Sequence, residues 1–428
     1  MARSGGQNRG PFVFALSGIV LATVYGVLAA RLDWFPSPQI ALAETTVRDL
    51  SAHWKNDLKL EPNRHLVEAY AKGPTAGSER GYRVVAPDAV AEGYVLVAGL
   101  NPAQDESFHA VTLYDAAGKQ VHRWPVFYER LDPEGNPPQN VMLHGMEVLE
   151  DGSLVVTFDV GNAMARIDAC GEPMWITSGG FHHSITRDDK GLLWSWRGDD
   201  IVAVDENTGE VVRDLPLRTR ILNAGGGQQG VFGMHASTEN AAGLQFSADP
   251  FHANDVEPLT ADLAPAFPMF EEGDLLISLR ELNLVAVIEP DEGRLRWYRH
   301  GPWHRQHDPD FEPDGTITVF DNSTGLGRSR IRRVDPATGD VTDAVPLRDD
   351  ARFYTWQRGK HQTLPNGNVL VTEAERGRVL EIAPDGSLVW EREVAWDDDR
   401  NVIITEARHV PSTFFADGPP SCVPHRQS

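Results

Sequence analysis

From Gly93 onward the chain is a succession of short apolar runs parted by turn residues. Leu154-Val155-Val156-Thr157-Phe158, Leu275-Leu276-Ile277-Ser278-Leu279 and Val369-Leu370-Val371-Thr372 have strand length and β-branched content,. Asp-Gly or Asn-Gly pairs mark turns before such runs at Asp151-Gly152, Asp314-Gly315 and Asn366-Gly367. These residues tolerate the backbone that tight hairpins need. One unit recurs: a strand headed by histidine, a Gly turn, an apolar strand, a strand opened by arginine, and often a Trp-bearing strand. Its heads are His144, His183, His252, His307 and His361, and a headless unit occupies residues 93–126. Four short strands in each repeat of roughly 40–55 residues are the mark of a β-propeller blade. The pattern predicts an all-β fold, a six-bladed β-propeller over residues 93–412, with a closing strand at Val402-Ile403-Ile404-Thr405 that removes the open sheet edge,.

The N-terminal 92 residues read differently. Residues 11–30 carry no charge, follow Arg3 and Arg9, and precede an acidic chain. A helix of that length just spans about 30 Å of hydrocarbon. Residues 1–31 are thus expected to be a cytoplasmic tip and transmembrane anchor, with the propeller outside the cytoplasm, periplasmic in an inner-membrane setting. A cleaved signal peptide is the competing reading, with Ala41-Leu42-Ala43 as its small-x-small site,. Residues 32–92, with short helices over 46–71 broken near Pro62, read as a stalk, and residues 413–428 as a C-terminal tail. Between His183 and His252 an insertion, roughly Pro216 to Pro250, contains Gly225-Gly226-Gly227. No Gly-Lys-Ser/Thr accompanies it, so it is not a phosphate loop. It reads either as a flap over the central funnel or as a variable surface loop.

Composition narrows the chemistry. A net charge of -23 speaks against nucleic acid as a partner,. The two cysteines, Cys170 and Cys422, exclude an iron–sulfur or cysteine-based zinc site, and are compatible with one disulfide or two free thiols,. In a propeller the first strands line the channel, so histidines at their heads converge from distant parts of the chain. A second periodicity puts Arg197, Arg280, Arg330 and Arg378 near the junction of the second and third strands. Outer-strand salt bridges are the plain reading of these arginines, and a funnel-directed turn after Asp321-Asn322 is the functional reading for Arg330 or Arg328. Three histidines suit a metal. Histidines with an arginine suit transfer of an anionic group, since the guanidinium fork bonds two oxygens at once and repels a cation.

Several stretches resemble one family. PFHANDVEPL (250–259), GDLLISLRELNLVAVIEP (273–290), QHDPDFEPDGTITVFDN with SRIRRVDPATG (306–339) and LPNGNVLVTEAERGRVLEI (364–382) are similar to the bacterial arylsulfotransferases. The resemblance covers residues 140–412 and is strongest from Phe251 to Trp390. It implies a six-bladed propeller that transfers a sulfuryl group from a phenolic sulfate ester to a phenol by a ping-pong route, without PAPS, cofactor or metal. By motif it implies that His307 and His252 are site histidines and that Arg328 or Arg330 is the site arginine. The position before the last full blade's turn makes His361 the expected nucleophile, with His183 a further site histidine that, like His252, would serve as acid and base. A membrane-anchored, non-catalytic binding or scaffold propeller, with a membrane protein as partner, is the main rival. Trp175, Trp297 and Trp390 suggest a quinoprotein dehydrogenase more weakly, since blade packing explains them.

Overall fold

The computed structural model describes residues 10–32, 34–36, 40, 43, 47, 65–69, 81–223, 228–233, 249 and 251–422. Residues 1–61 and 62–428 form two separate units. In the first, Gly10–Leu32 is an α-helix whose side chains from Val13 to Leu28 are mainly apolar and exposed. Among the described residues no helix is long and apolar enough to cross a membrane. The helix expected over 11–30 is present, and the span expected of it is not shown.

The second unit is a ring of six antiparallel sheets. Blades 2 to 5 are consecutive four-stranded meanders, starting at Met142, Phe181, Ala253 and His307. Blade 6 runs from Lys360 to Glu393 and takes Tyr82–Val84 as a fifth, outermost strand against Trp390–Arg392. Blade 1 is closed from both ends of the chain: Ile404–Val410 forms its inner strand and pairs with Tyr94–Leu100. The closing strand thus begins two residues beyond the expected one and fulfils its role. Leu66–Glu68 pairs with Arg400–Val402. The region expected as a stalk therefore gives blade 6 a fifth strand at its free outer edge, and supplies one strand of a separate two-stranded sheet. The remaining short helices expected over 46–71 lie outside the described residues.

Six apolar clusters, one per blade-to-blade seam, hold the ring. They explain the unbroken apolar strands. In Leu275–Leu279, Leu275, Ile277 and Leu279 pack toward blade 3 while Leu276 packs toward blade 5. A propeller sheet is buried on both faces, so its middle strands lose the polar half of the usual alternation. The hairpins are equally constrained. At Asp385-Gly386 the glycine has φ 82°, and a Cβ there would meet the Pro346 carbonyl oxygen,.

Two other expectations are decided in part. Cys170 and Cys422 form a disulfide, Cα–Cα 4.7 Å, which ties the C-terminal segment to a turn of blade 2 across 252 residues of sequence. Within the 216–250 insertion, Leu217–Asn223 and Gln228–Val231 are helical, and Leu217, Ile221 and Phe232 pack on Trp194, Trp196 and Phe251. This part of the insertion is anchored core rather than loose loop, and the three consecutive glycines lie outside the described residues.

Buried histidines make the propeller acid-sensitive. Burial is the main cause lowering His109 to about 3 and His122 to about 4, from 6.5. The unfolded chain therefore takes these protons first as pH falls. Stability is fully present above about pH 6.5 and is lost between there and the folded values, at roughly 1.4 kcal/mol per unit for each group. Urea denaturation at pH 7.5, 6 and 4.5 is expected to give unfolding free energies that decline below about pH 6.5, more shallowly in His122→Gln. A curve flat down to pH 4.5 would contradict this.

Candidate functional site

The inner strands of blades 2 to 5 each break their ladder near the histidine head. Register shifts lie between Leu143 and Gly145, His182 and Ile185, Ala253 and Asp255, and His307 and Pro309. His183, His252 and Asp308 sit at φ 62°, 43° and 49°. A side-chain-bearing residue in this left-handed region costs about 1–3 kcal/mol, a strain concentrated at functional sites. Bulges of this kind re-aim side chains. Here they turn the imidazoles toward one another: ring centroids are 4.4 Å apart for His144 and His183, and 5.3 Å for His183 and His252. His307 joins the same electrostatic neighbourhood as His252 and His144.

Each of two histidines has one nitrogen held. His252 Nδ1 lies 2.7 Å from Asp249 Oδ2, and His307 Nδ1 lies 2.8 Å from Asn322 Oδ1. Both partners are acceptors, Asn322 because its amide nitrogen donates to the Thr355 and Arg358 carbonyls. The ring proton is therefore on Nδ1, and Nε2 keeps its lone pair. Nothing among the described residues hydrogen-bonds Nε2 of His307. Burial first, and the Arg280 guanidinium second, hold His307 well below the usual imidazole range and lower His252 too, where Asp249 works in the opposite direction. Arg280 is itself buried, opening the short 3-10 turn Arg280–Leu282 at the end of the second strand of blade 4, with Glu281 at 2.8 Å. A neutral imidazole with a free Nε2, a second imidazole backed by a carboxylate, and a buried guanidinium suit nucleophilic transfer of an anionic group.

Other expected residues are placed elsewhere. His361 is fully buried, its Nδ1 3.0 Å from Asp308 Oδ2 and its Nε2 2.9 Å from Thr318 Oγ1. Both ring nitrogens are occupied, so the residue expected as nucleophile has no lone pair to offer in this structure. It belongs to an ionic network in which Lys360 Nζ bridges Asp308 at 2.8 Å and Asp255 at 3.1 Å. Burial and crowded carboxylates raise Asp255 to about 6 and push Glu257 and Asp310 well above the carboxylate range, although Lys360 opposes this at Asp255. Arg330 also departs from expectation. It starts the third strand of blade 5, away from the channel, and pairs with Asp343 at 3.0 Å. Arg328 is exposed just before it. The third strand is two strands out from the axis, so its side chains serve the blade surface.

Of the expected set, the structure brings together His252, His307 and His183, and separates His361, Arg328 and Arg330 from them. It adds Arg280, Asn322, Asp249, His144 and Asp159. Arg280 was visible in the arginine periodicity, and Asn322 in the Asp-Asn pair. Asp249 carried no signal, since it lies at the end of an insertion whose fold the repeat does not dictate.

The model of the family described as Arylsulfotransferase (ASST) matches residues 108–395. No curated relative matches the chain. Among solved structures, a protein of unknown function from Bacteroides caccae shares 12% identity at TM-score 0.48, covering 74% of this chain and 98% of that one. Virginiamycin B lyase from Staphylococcus aureus, in a catalytically inactive form with quinupristin, shares 14% at TM-score 0.37, covering 61% and 72%. The Pan2 WD40 domain of Neurospora crassa shares 9% at TM-score 0.38, covering 75% and 83%. Likenesses this distant carry no argument about chemistry.

Proposed function

The chain belongs to the arylsulfotransferase family, and from that premise we propose that it moves a sulfuryl group from a phenolic sulfate ester to a phenol through a sulfohistidine on His307. The observation that carries this reading is His307 itself: buried, neutral, its proton held on Nδ1 by Asn322, its Nε2 open beside Arg280. In the first half-reaction Nε2 forms the N–S bond as the S–O bond to the phenol breaks. The electron pair leaves on the phenolate oxygen, which takes the proton that His252 Nε2 picks up from solvent when the anionic donor binds. In the second half-reaction the neutral His252 takes the proton of the acceptor phenol, whose oxygen attacks sulfur and releases His307. Charge and protons balance over the cycle, and His252 ends as it began. Asp249 stabilises the imidazolium, and Arg280 binds the sulfuryl oxygens, whose negative charge in turn favours a protonated His252. Asn322 accepts the Nδ1–H of the sulfated ring, which keeps that ring in the orientation from which it departs.

We place this reaction outside the cytoplasm, with the N-terminal helix as anchor. The Cys170–Cys422 disulfide and the arginine-flanked apolar helix support that placement,.

The test is release of p-nitrophenol from p-nitrophenyl sulfate with and without phenol. Acceptor-dependent release with parallel double-reciprocal lines, and acid-labile label on His307 from a sulfur-35 donor without acceptor, are the expected results. A folded protein that releases nothing from several phenolic donors would point instead to a binding or scaffold propeller.

A further inference from the structure

One corner of the histidine cluster is not used by this reaction. His144 opens it. It is 6% exposed, and its Nδ1 is buried with no hydrogen-bond partner. Asp159 Oδ2 is only 2.9 Å away, so the ring nitrogen and the carboxylate are both within reach of one shared ion. His183 Nδ1 stands 3.8 Å from the other oxygen, Asp159 Oδ1. His182 Nδ1 is 2.6 Å from His183 Nδ1, and its Nε2 donates to the Gly198 carbonyl at 2.9 Å. That outer hydrogen bond fixes the His182 tautomer, so its Nδ1 accepts from His183 Nδ1–H and leaves the His183 Nε2 lone pair free, as the outer partners of metal-bound histidines do,.

We propose that His144, Asp159 and His183 bind one divalent first-row transition ion, with His182 as an outer partner that orients His183. Three observations support it. One donor atom from each of His144, Asp159 and His183 lies within 4.8 Å of the others, a spread that a tetrahedral ion with bonds of about 2.0–2.2 Å closes with small rotamer changes,. The donors are imidazole nitrogens and one carboxylate, the set that suits zinc, cobalt and iron(II) rather than calcium or magnesium. The neighbouring positive group, Arg358, is offset by Glu375 at 2.9 Å. Asp308, Asp310 and His361 also lie close together, but Lys360 already supplies the cation there. The ion site stands on its own geometry and does not depend on the sulfuryl reading.

The experiment is titration of the full-length, chelator-treated protein with zinc chloride, competed against a chromophoric chelator, and with cobalt(II) followed in the visible. The wild type is expected to take one ion per chain, with cobalt absorption typical of low coordination. His144→Ala and Asp159→Asn are each expected to weaken binding at least about tenfold and remove the cobalt band. His300→Ala, on an outer strand, should leave both intact. Near-UV circular dichroism confirms folding, and should His144→Ala fail to fold, the isosteric Asp159→Asn decides. No stoichiometric binding by the wild type would overturn the proposal. So would binding that survives in Asp159→Asn.

Discussion

His307→Ala is expected to abolish acceptor-dependent release of p-nitrophenol, by about 10³-fold or more, while the protein stays folded. The expectation follows from what alanine removes: a desolvated imidazole with its Nδ1 proton held and its Nε2 unoccupied, which unlike His252 is held by a neutral amide rather than a carboxylate and so stays neutral. A lost nucleophile leaves only substrate binding and charge stabilisation, and such enzymes fall by several orders of magnitude. His307→Gln controls for packing, since it retains a side chain able to reach Asn322 yet cannot form the N–S bond. His361→Gln separates the two candidates. It is expected to keep transfer within about tenfold and to act through stability, because His361 braces Asp308 and Thr318. Transfer that persists in His307→Ala and vanishes in folded His361→Gln would reverse the assignment.

Arg280→Lys is expected to lower kcat/KM by about 10²–10³-fold, with most of the loss in kcat. A guanidinium binds two sulfuryl oxygens in one plane, whereas an ammonium is a single point of charge, and removing one preorganised donor at developing charge typically costs this much. Arg330→Ala, by contrast, breaks a part-exposed pair with Asp343 and should change the rate by less than about twofold,. Arg280→Ala adds a pH signature. Arg280 lowers His307 and His252, so its loss lets both rise, and each becomes protonated at a higher pH as the solution is acidified. Because His307 must be neutral to attack, the acid limb of the rate profile should move to higher pH. An unshifted limb, or equal effects from Arg280→Ala and Arg330→Ala, would remove Arg280 from the site.

Both experiments weigh the same contrast. His307 and His361 occupy comparable heads of adjacent blades, one at the first residue of its strand and the other at the second. In sequence they are alike, which is why His361 looks as good a nucleophile as His307. The difference is supplied by other blades. Asp308 and Thr318, from blade 5, reach across the seam and occupy both nitrogens of His361. His307 bonds Asn322 of its own blade through Nδ1, and nothing among the described residues hydrogen-bonds its Nε2. Arg280 and Arg330 make the parallel case: both follow the second strand of a blade, yet one is folded inward by a 3-10 turn and the other enters the third strand facing Asp343.

The six blades, the closing strand and the histidine heads were decided by the sequence alone, because they rest on short-range properties: strand-length apolar runs, Gly turns and a repeated order. Tyr82–Val84, the residues that partner each imidazole, and the choice among equivalent histidines and arginines were decided only in three dimensions. An imidazole's reactivity depends on which nitrogen is held and how dry its surroundings are. Here those conditions are set by Asn322, Asp249, Arg280 and Asp308, groups brought to the histidines by bulges, turns and seams that no repeat pattern encodes,.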